Sequence, residues 1–302
     1  MADRSGDLTR RALLARAAAV GVGTALGGGL LPKAFAAPES ATAARFADLD
    51  GVPLHYWRWQ DGTAGRRTQH RTFAASLLFY ERLLRWVVDL KAIAERHAGL
   101  RGMDRIVTAG VFVDKPGQHG LGQAFDLDQV RWSNGAITPY AREHLSADRR
   151  TLRRYLGLDA VCRRHFRWVL DGRYNAEHAD HLHMDFGGGA IVCGRDSRSD
   201  TVFVQQVLNS HQAAGLAVDG RWGRSTELAF IDSCRRLRVE GDPHTFTPAW
   251  RYWLLRAASC SFADVDFAAA PPPELDPLQD LVDDLVGPAQ DTLTELLGLL
   301  QG

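Results

Sequence analysis

Two short stretches of this chain carry residue types that coordinate divalent metals. His119-Gly-Leu-Gly-Gln-Ala-Phe-Asp126 sets an imidazole and a carboxylate seven positions apart, and His178-Ala-Asp180-His181-Leu-His183 later adds three imidazoles and a second carboxylate. Catalytic zinc takes three protein ligands of nitrogen or oxygen type and keeps one position for water. His119, Asp126 and one histidine of the later cluster meet that count. His181 and His183 sit one residue apart in His-Leu-His-Met-Asp-Phe, which alternates as a strand does, so both rings would project from one side of it. Gly117, Gly120 and Gly122 permit positive φ and close backbone approach, which suits a turn that delivers His119 before a short strand at 123–127 presents Asp126. Found in this order in a chain with 11 histidines, these residues point to a zinc hydrolase site.

The elements that must hold such a site can be read from periodicity. Phe79, Leu83, Trp86, Val87, Leu90 and Ile93 recur at helical spacing and Gly99 follows as a stop, which predicts a core helix within 73–97 whose aromatics pack rather than bind. Residues 106–113 read as a strand entering the metal loop, 147–162 as one or two helices, and 166–170 as a strand before the histidine-rich one. The predicted class is α+β, a small antiparallel sheet with helices forming a zinc cleft. After Gly187-Gly188-Gly189 the pattern changes to a small all-α three-helix module: Val204, Val207 and Leu208 mark one helix, Ser225 or Thr226 caps a second, and a third surrounds Trp250.

The first pattern resembles that of the D-Ala-D-Ala metallopeptidase superfamily, and Ala-Glu-His-Ala-Asp-His-Leu-His-Met-Asp at 176–185 is most similar to its extensin-like C-terminal domain branch. The likeness extends over residues 75–193. It implies that His119, Asp126 and His183 bind Zn²⁺ and that Asp180, three residues before the last ligand, is the general base. It further implies that His181 and His178 stabilise the transition state, although His178 equally suits a residue that orients a ligand. Asp128 and Asp185 read as supporting residues rather than ligands. The family's upstream arginine has no aligned counterpart, and Arg105 and Lys115 are the candidates. Residues 201–258 resemble the peptidoglycan-binding domain family through Asp219-Gly220-Arg221-Trp222-Gly223 followed by Thr226, while 240–250 departs from the usual repeat of that turn.

Together these resemblances imply an exported zinc-dependent peptidase acting on peptidoglycan stem peptides or cross-links. Zinc would lower the pKa of its bound water toward about 7 and polarise the scissile carbonyl, and Asp180 would take the proton. The alternative is a non-catalytic cell-wall-binding protein that keeps zinc as a staple. Asp180 separates the two, because a closed structural site needs no base. A glycan-cleaving enzyme is a third reading, but carboxylates flanking a sugar do not call for clustered histidines.

The N-terminus supplies an independent indication of compartment. Thr9-Arg10-Arg11 precedes a small, Gly- and Ala-rich apolar run and Ala34-Phe35-Ala36, the form of a twin-arginine export signal cleaved after Ala36. The run is marginal for a membrane span, so no stable span is expected after cleavage. Five segments follow: signal peptide 1–36, an N-terminal adaptor 37–72 with Trp57 and Trp59 near a hairpin, the metal-site domain 73–197, the wall-binding-like module 201–260, and a Pro-rich linker with an acidic amphipathic tail at 261–302. The four cysteines, Cys162 and Cys193 in one region and Cys234 and Cys260 in the other, suggest two intra-domain disulfides, although four cysteines permit three connectivities and four free buried thiols are the alternative. A formal net charge of zero and the lack of a polybasic tract exclude a nucleic-acid partner. Arg149-Arg150 and Arg163-Arg164 read as solvated helix faces. The acidity of the tail argues against an anionic membrane.

Overall fold

The computed structural model describes residues 43–56 and 68–272. The predicted signal peptide, Trp57, Trp59 and the tail beyond residue 272 lie outside them. The predicted core helix is present as α1, Leu77–Ala98, and its buried stripe is Phe79, Leu83, Trp86, Val87, Leu90, Ile93 and Ala94. It starts later than its periodicity suggests because Ser76 is extended and caps it, its Oγ accepting from the Phe79 N–H at 3.4 Å. Residues Phe73–Ser76 instead form strand β5, paired with β1, Ala43–Phe46. Gly99 closes the helix in the left-handed region at φ 63°.

The main sheet is mixed, not antiparallel as expected. Its centre is β6, Met103–Gly110, antiparallel to β7, Ala124–Trp132; β10, Leu182–Asp185, lies on the other side of β7, and β9, Trp168–Leu170, is the outer neighbour of β10. On the far side β3, Val52–Tyr56, runs parallel to β6. The short strands β2, Asp48–Leu49, and β4, Gln69–His70, pair with β3, and β8, Gly135–Ile137, pairs with β7. The parallel pair arises because the chain leaves β3 and returns to β6 through α1, a crossover that restores strand direction.

Helix α2, Arg149–His165, is a single helix whose N-terminus is capped by Asp148, with Oδ2 accepting from the Thr151 N–H at 2.7 Å. The later segment forms α3, Arg198–Gln212, α4, Arg224–Leu237, and α5, Thr247–Ala263. Neither Ser225 nor Thr226 caps α4; Gly223 takes that position without a side-chain bond, and buried Thr226 lies within reach of the Gln205 amide. These helices are not set apart from the metal-site region. Helix α5 lies against α1 and α2, and residues from both segments form one contiguous apolar cluster. At the closest approach, a Cβ on Gly157 would stand 3.2 Å from the Phe262 ring.

Two expectations are corrected by burial. Arg163 and Arg164 are 2% and 4% exposed, not solvated. Arg163 donates to Asp159 and Asp200, each at 2.8 Å, to the Val169 carbonyl at 3.0 Å and to Ser199 Oγ at 3.1 Å, tying α2 and α3 to β9. Arg164 reaches Asp89 on α1 and the Arg251 carbonyl on α5. The cysteines are all free thiols rather than disulfides. Cys162 lies in the core beside Trp86, and the backbone of Cys193 is bonded to Pro243 and His244. Burial pushes the Cys234 and Cys260 thiols up to about 12. Among the described residues no helix is long and apolar enough to cross a membrane.

Replacing Arg163 with Met leaves buried Asp159 without its cation and Asp200 with Arg167 alone, and is expected to cost about 3–5 kcal/mol in denaturant unfolding. A second prediction concerns acid. His211 is fully buried, donates from Nδ1 to the Val265 carbonyl at 2.9 Å and accepts at Nε2 from Ser261 Oγ at 2.8 Å, and burial lowers its pKa from 6.5 to about 4. The unfolded chain therefore takes up this proton first. Stability present above pH 6.5 is lost as the pH falls to about 4. Thermal unfolding across this window should show a loss on the order of 3 kcal/mol from this ring, and His211→Gln should flatten that part of the profile.

Candidate metal site

Register explains the meeting of Asp126 and His183. The two residues are direct partners across the antiparallel β7–β10 ladder, so their side chains share one face of the sheet. His183 Nδ1 lies 2.8 Å from Asp126 Oδ1. Two residues further along each strand the same face carries Asp128 and Asp185, and Asp185 Oδ2 stands 3.2 Å from His183 Nε2. The Asp126 backbone is held too: its carbonyl accepts from Thr108 Oγ1 at 2.7 Å, where the β6–β7 register shifts around Thr108.

His119 arrives from the β6–β7 loop. Its ring Nδ1 donates to the Val111 carbonyl at 2.6 Å, which turns Nε2 toward Asp126 Oδ1, 3.1 Å away. The loop is tight because the N–H groups of Gly122 and Val113 both donate to the His119 carbonyl. Gly122 has φ 65° and lies against the Ala75–Ser76 backbone. Gly120 has ordinary dihedrals and is needed for another reason: a Cβ there would fall 1.9 Å from the Lys115 carbonyl oxygen.

His119, Asp126 and His183 thus bring one ligand atom each to within 4.8 Å of one another. His181 approaches the same carboxylate, with Nε2 3.7 Å from Asp126 Oδ1 and Nδ1 3.0 Å from Asp180 Oδ1. Burial alone would raise the Asp126 carboxyl, but hydrogen bonds from His119 and His183 outweigh it and hold the group well below the usual carboxylate range. Burial likewise opposes charge on His183, yet its bonds to Asp126 and Asp185 lift the ring to about 9. His178 goes the other way: burial, reinforced by His181 and His183, lowers it to about 4.

This donor set fits a divalent cation. With Nδ1 of His119 committed to a carbonyl, a cation that takes the place of the Nε2 hydrogen would meet that nitrogen and a carboxylate oxygen side by side. Asp185 stands behind His183 as carboxylates do behind metal-bound imidazoles. Two imidazoles and a carboxylate suit zinc and other borderline divalent ions.

The cluster opens into a cavity of roughly 500 Å³. Its walls bring together His119, Asp126 and His183 with Asp180, His181, His178 and Asp128, whereas Asp185 is not part of the lining. Of the two candidates for the family's upstream cation, Lys115 lines this cavity, together with Tyr140 and Glu177. Arg105 does not; its guanidinium is with Asp104 and Thr68. Sequence reasoning missed the Val111 carbonyl, Thr108 and Asn175. Only Asn175 had a local signal, as a helix-capping residue type ahead of Ala176–His178, a single 3-10 turn.

Residues 106–194 match the family model described as extensin-like protein C-terminus. That stretch runs from β6 to the loop beyond β10 and contains all the residues of the cluster. No curated protein and no solved structure matches the chain.

Calorimetric titration of the metal-free protein with Zn²⁺ should give one site per chain. Asp126→Ala should abolish it, and Asp185→Asn should weaken it about 10–100-fold by loosening His183. Undiminished affinity in Asp126→Ala would place the ion elsewhere.

Proposed function

We propose that the protein is an exported zinc-dependent peptidase that cuts peptidoglycan stem peptides or cross-links, related to the D-Ala-D-Ala metallopeptidase superfamily. The reading is carried by one observation: His119, Asp126 and His183 converge at the wall of an open cavity that also presents the carboxylate of Asp180. A closed structural site would have no use for that cavity or for the extra carboxylate. The match of residues 106–194 to the extensin-like family supports the assignment.

In this reading His119, Asp126 and His183 hold zinc. A zinc ion bound there supplies Lewis acidity, activating water and polarising the scissile carbonyl. Asp180 is nearly half exposed and oriented by His181 Nδ1 at 3.0 Å, which places it to accept a proton from the attacking water and to return it to the leaving amine. Lys115, an ammonium on the same wall, suits the anionic end of a peptide or the developing oxyanion. Asp185 and the Val111 carbonyl keep the two imidazoles aimed inward.

Helices α3 to α5 are the wall-holding module in this scheme. What supports this is the Asp219–Gly223 turn, built around Gln205, whose Oε1 accepts from the Asp219 and Gly220 N–H groups at 3.1 and 3.0 Å. Export by the twin-arginine route and location at the cell wall belong to the same proposal and rest on the N-terminal residues.

The test is to incubate the zinc-loaded mature chain with defined muropeptides and identify the products by mass. Peptide cleavage is expected, and Asp180→Ala should lower the rate by about 10²–10⁴ while zinc stays bound. If no muropeptide changes, the wall-binding reading takes its place. An Asp180→Ala protein with full activity removes the role given to this carboxylate.

A further inference from the structure

Two histidines beside the metal ligands, His178 and His181, face the same cavity, and their ring nitrogens are not equivalent. His178 ends the single 3-10 turn at 176–178, and Asn175 precedes that turn in extended conformation. The Asn175 side-chain Oδ1 accepts from the His178 backbone N–H at 3.1 Å, and His178 Nδ1 lies 2.6 Å from the same oxygen.

The shared partner settles the identities of both atoms. A backbone N–H can only donate, so the Asn175 atom that meets it must be the carbonyl oxygen and not the amide nitrogen. An Asn turned the other way would set an NH₂ group against an N–H. Since that oxygen can only accept, the nitrogen facing it, Nδ1 of His178, must carry the hydrogen. A neutral imidazole has one N–H, so Nε2 is left with its lone pair. The ring packs against His181 and His183, with centroids 5.2 and 5.6 Å away, and lines the cavity with them.

We propose that Asn175 is a positioning residue that holds His178 in the Nδ1–H tautomer, so that His178 offers the cavity a hydrogen-bond acceptor at Nε2 and not a donor. On the peptidase reading, on which this part rests, His178 receives a hydrogen bond from an N–H of the peptide substrate and is not a donor to the oxyanion. This replaces the role the family resemblance implies for it and leaves oxyanion contacts to other groups on the wall, such as Lys115.

Nitrogen NMR on the full metal-free chain at neutral pH, with histidine labelled in the ring, reads the tautomer directly. Wild type should show a protonated Nδ1 and a bare Nε2 for His178, identified by loss of its signals in His178→Gln. Asn175→Asp keeps a two-fold acceptor and should keep the tautomer, whereas Asn175→Ala should move the ring toward the Nε2–H form. In the muropeptide assay Asn175→Ala should lose about 10–100-fold in kcat/KM at unchanged zinc affinity, and Asn175→Asp should restore most of it. An Nε2–H ring in wild type, or an Asn175→Ala protein with unaltered tautomer or full rate, overturns the proposal. A wild type that cleaves no muropeptide defeats the peptidase reading instead, and the NMR result still decides the role of Asn175.

Discussion

The structure is organised around one buried carboxylate. Asp126 is 7% exposed on the central strand β7, and an ionised group in such a place costs several kcal/mol unless opposite charge and hydrogen bonds compensate it. His119, His183 and, more distantly, His181 supply that compensation from three directions. The β7–β10 register brings one of these rings, and the glycine-containing loop pressed onto the Ala75–Ser76 backbone brings another. Each imidazole has its other nitrogen tied down, to Val111, Asp185 or Asp180. The cluster is therefore oriented before any ligand arrives, which lowers the reorganisation needed to gather it around a cation.

The scaffold behind this cluster is held by polar ties as much as by apolar packing. Arg163 holds β9 through the carbonyl of its middle residue, Val169, and β9 is the outer neighbour of the strand that bears His183. Asp171, just after β9, accepts from the Arg173 and Tyr174 N–H groups and receives the Tyr155 hydroxyl, so the approach to Asn175 and His178 is also anchored on α2. The segment carrying Asn175, His178 and Asp180 is thus a loop with a built foundation. Its position follows from buried side chains on α2 rather than from strand pairing.

Legibility in the sequence followed the range of the forces involved. His119, Asp126 and a histidine of the later cluster could be read because ligand chemistry restricts residue types, with His183 singled out among them by resemblance, and the α1 stripe because one amphipathic helix repeats its pattern over several turns. The parallel β3–β6 pair could not, since it depends on where a long crossover lands. Arg163 and Arg164 read as solvated because their carboxylate partners lie on other helices, at Asp200 and Asp89, or one turn away at Asp159. The cysteines misled because count and region say nothing about the distance between sulfurs. The tautomer of His178 depends on a single capping amide, and no spacing rule encodes which ring nitrogen it meets.

The close contact of Gly157 with Phe262 bears on how this chain can be divided. The stretch that matches the extensin-like family model ends at residue 194, yet its α2 gives up a side chain at Gly157 so that the aromatic ring of a much later helix can seat against it. Arg153, on the same helix, reaches Asp264 and Asp266 beyond the end of α5. A polypeptide cut after residue 194 would expose that seat to water and strand a buried guanidinium. The segment that matches the family model is therefore structurally dependent on the helices that follow it.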